Sequence, residues 1–277
     1  MLKKEEIRAF LGETCLAMMI ISILSGTIIT FHYDYHMPYK TTQFITYAVP
    51  FGWFLRRLHY WSSEFFLILL ILHTFWHLYF DYKKHSFFTW LIVTLSVPAT
   101  LFVMFTGFIL KGDLEGLSAL LIMKNTLLSI PFFGSYIIPF FINMQDKYYL
   151  PFFYHCFIIP FFLLFSTFIH LKRIFSKSLY TLYSCALCLL VAILFPLSPS
   201  FPPFSSAQAL KGPWFFWGIQ EAYEFLSPFM AGIVMPFVFF FLLFSLPLLK
   251  DEKPIKFIFS VFVFVYCLLS IYFIIVI

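Results

Sequence analysis

Seven apolar stretches run through this chain, at roughly residues 10–31, 58–80, 88–110, 151–172, 178–196, 224–249 and 256–276, separated by segments that carry Pro, Gly and charge. A helix needs about 20 apolar residues to cross a hydrocarbon core roughly 30 Å thick. Inside that core a backbone can satisfy its own N–H and C=O groups only as a helix or a closed barrel. Stretches of this length select helices. Composition closes the soluble alternative, because 62% of the 277 residues are hydrophobic and 11% are charged, whereas about a quarter of an ordinary soluble domain is charged. The expected fold class is an all-α integral membrane protein, the first four stretches forming a four-helix bundle and about three further transmembrane helices following it. A basic stretch precedes the first apolar run, as in a signal peptide, but no small-residue cleavage site closes it. A retained first helix is expected.

Charge sets an expected orientation. With the N-terminus cytoplasmic, Lys3, Lys4, Arg8, Lys83, Lys84, Lys172, Arg173, Lys177, Lys250, Lys253 and Lys256 fall inside, eleven of the eighteen Lys and Arg residues. The remaining seven spread through the long outer loops 32–57, 111–150 and 197–223, which is the asymmetry of the positive-inside rule. Because topology accounts for the basic residues, the net charge of +5 carries no nucleic-acid inference. Cys15, Cys156, Cys185, Cys188 and Cys267 all lie in or beside apolar runs and read as buried hydrophobes. Cys185 and Cys188 form a Cys-x-x-Cys pair with no His after it, so it is no covalent haem site. The long outer loops contain aromatic segments, Ile130-Pro131-Phe132-Phe133-Gly134 and Pro213-Trp214-Phe215-Phe216-Trp217. These suit either the membrane interface or the wall of a hydrophobic pocket.

The chemistry lies in the histidines. His59 and His73 are fourteen residues apart in the second stretch, and His155 and His170 are fifteen apart in the fourth. At about 100° per residue each pair falls near one helix face, separated by roughly 21 Å and 22.5 Å along the axis. Both helices run from outside to inside, so His59 meets His155 at the outer level and His73 meets His170 at the inner level. Intramembrane polar residues are costly and usually functional. Two His–His clamps stacked through a bundle suit two low-spin b-type haems. The plainer reading, each His bonded to a neighbouring helix, explains one histidine better than two matched pairs. His77, one turn after His73, competes as a ligand; His32, His36 and His85 sit at span ends. Gly12 and Gly26 repeat the fourteen-residue spacing and leave room for a haem edge or a helix at two levels. Gly107 offers the same room on the third stretch.

These residues resemble the cytochrome b subunit of quinol-oxidising cytochrome bc and b6f complexes, in a divergent, compact and fused form. The segment Phe51-Gly52-Trp53-Phe54-Leu55-Arg56-Arg57-Leu58-His59 is similar to the family's approach to its first haem ligand. The resemblance implies that Arg56 neutralises a haem propionate. Gly12, Gly26 and Gly107 match family glycines, and Ile130-Pro131-Phe132-Phe133-Gly134-Ser135 resembles the family's short helix after the third span. It further implies a di-haem domain over 1–175 and a second transmembrane domain over 176–277 with the outer loop 197–223. The implied setting is a homodimer inside a larger complex with Rieske-type iron–sulfur or c-type cytochrome subunits. That complex would draw on the quinone pool in a lipid bilayer, in a bacterial inner membrane. The outer quinol pocket is expected to include Trp214 and Phe215.

The chain also departs from the family. A Pro-Glu-Trp-Tyr motif appears as Gly212-Pro213-Trp214-Phe215, without the acid that takes a quinol proton. A Pro-Trp pair after the third span is Lys111-Gly112, an inner glycine is Val93, and an Arg after the second ligand is Trp76. The cysteine that anchors an additional covalent haem in the b6 branch falls at Phe10, so no c-type haem is expected. Glu64 and Glu221 are the candidate replacement acids, since a general base must lie within hydrogen-bond reach of the substrate hydroxyl. For Glu224 an exposed charge at a helix N-terminus is the plainer reading. Three functions follow: a di-haem quinol oxidoreductase subunit, a non-bifurcating di-haem conduit to a periplasmic multihaem or iron–sulfur partner, and a haem-free transporter.

Overall fold

The computed structural model describes residues 4–81, 83, 86–143, 145–172, 179–206, 210–248 and 252–276. Lys3, Lys84, His85, Arg173, Lys177 and Lys250 lie outside them. No strand occurs among the described residues. The helices in chain order are α1 (Lys4–Thr30), α2 (Pro38–Tyr47), α3 (Gly52–Trp76), α4 (Phe87–Thr94), α5 (Ser96–Ile109), α6 (Leu114–Leu128), α7 (Gly134–Ile137), α8 (Tyr149–Phe153), α9 (Ile159–Leu171), α10 (Leu179–Leu194), α11 (Trp217–Phe225), α12 (Met235–Ser245) and α13 (Lys253–Val276). Among the described residues, six helical segments are long and apolar enough to cross a membrane: Lys4–Thr30, Gly52–Phe80, Phe87–Ile109, Tyr149–Leu171, Met230–Leu248 and Lys253–Val276. The fifth expected stretch forms α10, whose 16 residues give about 24 Å of helix, short of a roughly 30 Å core.

Proline explains most of the interruptions. Pro98 has no N–H for the carbonyl of Thr94 and its ring collides there, and the helix breaks at Leu95 between α4 and α5. Pro160 and Pro236 pose the same problem inside longer spans. Each is solved by a π turn just upstream, Tyr154–Ile158 and Met230–Val234. Ile159 N–H donates to Tyr154 O and Met235 N–H to Met230 O, so every bond spans one residue more and the proline is stepped over. A third π turn, His77–Asp81, extends α3.

The chain divides into two compact units, Met1–Met104 with Phe153–Pro199, and Phe105–Phe152 with Ser200–Ile277. In the first, α1 packs along α3, α10 covers both, and α4 lies on α9. Hydroxyls that would be stranded in an apolar bundle bond back to their own helix or across to the next. Thr14 Oγ1 donates to Phe10 O at 2.7 Å and Ser25 Oγ to Ile21 O at 2.7 Å. Ser22 and Ser63 join α1 to α3 at 2.7 Å, and Ser96 and Ser166 join α5 to α9 at 2.7 Å. In the second unit the long connections are helical: Asp113 caps α6, accepting from Gly116 N at 2.9 Å, and α11 packs on α13.

Candidate functional site

The first unit brings the sequence-selected histidines together at two levels. The ring centres of His59 on α3 and His155 in the π turn before α9 lie 6.0 Å apart, and those of His73 and His170 lie 6.2 Å apart. A ring nitrogen reaches about 2 Å to a metal and lies about 1 Å from the ring centre, so an iron between two opposed imidazoles sets the centres roughly 6 Å apart. Both pairs have that spacing.

Hydrogen bonds orient the His59–His155 pair. His59 Nδ1 lies 2.8 Å from Ser22 O, and His155 Nδ1 lies 2.8 Å from Val103 O. An Nδ1–H that donates to a backbone carbonyl fixes the tautomer and leaves Nε2 as the free lone pair, the arrangement metal-ligating histidines use. These carbonyls are the part of the site that sequence reading missed, since any residue can supply one.

The π turn also explains the unequal spacings. Fourteen residues of plain α-helix separate His59 from His73. Fifteen separate His155 from His170, but His155 sits within Tyr154–Ile158, where one surplus residue is absorbed in the wider turn. Both pairs therefore keep the same phase. Pro160 is the sequence signal that could have revealed this.

At each level a glycine of α1 faces the α3 histidine. A Cβ on Gly26 would lie 2.7 Å from His59 Cε1, and one on Gly12 would lie 3.2 Å from His73 Cε1. The space these glycines keep open is occupied here by the imidazole rings. Gly107, on α5, belongs to the second unit. Arg56 donates from Nη1 to Thr46 Oγ1 and, at 3.3 Å, to Thr42 O, so α2 holds its guanidinium. The inner level holds a third imidazole. One nitrogen from each of His73, His77 and His170 lies within 4.8 Å of the others.

The candidate acids fall in different units. Glu64 is buried on α3 and Glu221 is buried on α11. In the second unit, Phe215 is buried and Trp214 partly exposed, with ring centres 5.7 Å apart. Gly212 N donates to Gln220 Oε1 and Trp217 Nε1 to Gly212 O, each at 2.9 Å, while Tyr266 Oη donates to Phe215 O. Tyr223 and Thr126 share a hydroxyl contact of 2.8 Å that the sequence did not single out. Burial pushes the Tyr223 phenol above its usual pKa, against a smaller lowering by the Thr126 hydrogen bond.

The family profile described as Cytochrome b/b6/petB matches residues 4–178, a stretch that includes all the histidines above. A cytochrome b6 of Trichodesmium erythraeum (strain IMS101) is 35% identical over 133 residues, 46% of this chain and 59% of that protein. A cytochrome b of Myzostoma seymourcollegiorum is 30% identical over 164 residues, 57% of this chain and 43% of that one. The chain thus spans about half the length of the curated relatives it matches. A solved chain titled "Hyperthermophilic respiratory Complex III" shares the fold, with a TM-score of 0.73 at 18% identity, covering 95% of this chain and 83% of that one.

Proposed function

Since the chain belongs to the cytochrome b/b6 family, we propose that it is the di-haem subunit of a membrane quinol oxidoreductase, carrying electrons across the bilayer between quinone sites. The carrying observation is the pair of neighbouring imidazoles at each of two levels, with ring centres 6.0 and 6.2 Å apart. When bound, b-type haems supply one-electron redox steps. His59 and His155 hold the outer iron, their Nδ1 atoms tethered to Ser22 O and Val103 O. His73 and His170 hold the inner one. Gly12 and Gly26 keep α1 close without filling the ligand space, and Arg56 on α3 is the cation assigned to a propionate. In the functional division, 1–175 carries both haems and 176–277, with the loop 197–223, contributes Trp214 and Phe215 to the outer quinol pocket. Partner subunits of iron–sulfur or c-type cytochrome character, a homodimeric assembly, a cytoplasmic N-terminus and a bacterial inner membrane complete the proposal.

One observation favours a second reading, the non-bifurcating conduit: Pro213, which cannot accept a proton, stands where the family has its quinol-facing acid. Glu221 and Glu64 are the candidate buried carboxylates to take that proton. The test is pre-steady-state haem reduction by quinol, with the inner quinone site inhibited. Glu221→Gln or Glu64→Gln is expected to slow reduction about a hundredfold or more, the range for loss of a general base, with haem spectra unchanged. Wild-type rates in both variants would remove these acids and favour the conduit.

A further inference from the structure

Two axial ligands complete a six-coordinate haem iron, yet the inner level of the first unit has three buried or half-buried imidazoles. His77 is 8% exposed, and a buried histidine within an apolar bundle is costly enough to call for a role. His73 and His77 are one turn apart on α3 and its extension, so their side chains share a face. His170, on α9, faces both. Its ring centre is 6.2 Å from that of His73 and 5.7 Å from that of His77, each close to the roughly 6 Å that two imidazoles adopt across one iron. The His73 and His77 centres are 4.6 Å apart, too close to oppose each other across a metal. His170 is therefore the fixed ligand and the other two are alternatives.

The outer level has no such arrangement. Four residues after His59 stands Ser63, whose hydroxyl is used against Ser22 and His59 O. A cleft lined by Leu70, Thr74, Trp90 and Thr94 together with the three histidines adjoins the inner site, and π turns such as His77–Asp81 are frequent at functional positions.

We propose that the inner haem, on the di-haem reading above, is held by His170 on one side and by either His73 or His77 on the other, His77 taking the iron when His73 releases it. Among the described residues, the outer level offers no third imidazole.

The experiment counts haem per chain in the purified full-length protein by reduced-minus-oxidised absorption, with electron paramagnetic resonance of the oxidised form. His73→Ala and His77→Ala are each expected to keep both haems, with the low-spin signal of the inner one shifted in His73→Ala. The double variant His73→Ala/His77→Ala should fall twofold, to the haem content of His59→Ala. In each variant the surviving haem reports that the bundle has folded. Loss of half the haem in His73→Ala alone would overturn the proposal, giving His77 no ligand role. Full haem in the double variant would overturn it as well. A wild-type chain without haem would overturn the di-haem reading itself, a result distinct from either.

Discussion

At the scale of single residues, the site depends on what is missing from α1. A methyl group on Gly26 would meet His59 Cε1 at 2.7 Å, a distance real Cβ atoms do not tolerate, whereas on Gly12 it would meet His73 Cε1 at 3.2 Å, which a small ring displacement relieves. The two glycines should therefore differ. Gly26→Ala is expected to weaken or expel the outer haem alone, Gly12→Ala to leave both haems bound, and Gly12→Leu to disturb the inner one. Haem content and the position of the reduced α-band in the purified variants check this order. Equal tolerance at both positions would reduce the glycines to ordinary helix spacing. The histidine pairs were legible because residue type and spacing were both unusual for an apolar span. The carbonyls of Ser22 and Val103 were not, since a backbone acceptor leaves no trace in residue identity.

At the scale of elements, phase matters more than distance along the chain. One alanine inserted in α9 after Leu164 would turn His155 by about 100° relative to His170, so that only one of them could still face α3. One haem should be lost and the other kept, read as a twofold fall in haem per chain, while an alanine appended beyond α10, outside both pairs, should cost none. The sequence showed the apolar spans and their order, and the structure agrees to within six residues at each end for Lys4–Thr30, Gly52–Phe80, Tyr149–Leu171 and Lys253–Val276. It did not show the break at Leu95, although Pro98 accounts for it, nor that the last segment of the outer loop folds as α11 before the span beginning at Met230. Periodicity sees an unbroken apolar run in both places. Backbone hydrogen bonding, which proline and the Ser227–Pro228 step interrupt, decides where helices stop.

At the scale of the whole molecule, the two histidine levels in the first unit, with ring centres 6.0 and 6.2 Å apart, are the feature on which the di-haem reading rests. Fold class and family were accessible from sequence because helix length, His spacing and the Arg56–His59 segment agree with one another. The surroundings of Glu64 and Glu221 were not, because burial of a carboxylate depends on packing. The most direct measurement is the reduced-minus-oxidised spectrum of the purified chain and of His59→Ala, His155→Ala and His170→Ala. The account predicts b-type bands at about two haems per chain in the wild type. His59→Ala and His155→Ala should show one identical residual spectrum, and His170→Ala a different one. A wild-type protein without haem bands, or three variants losing the same haem, would contradict it.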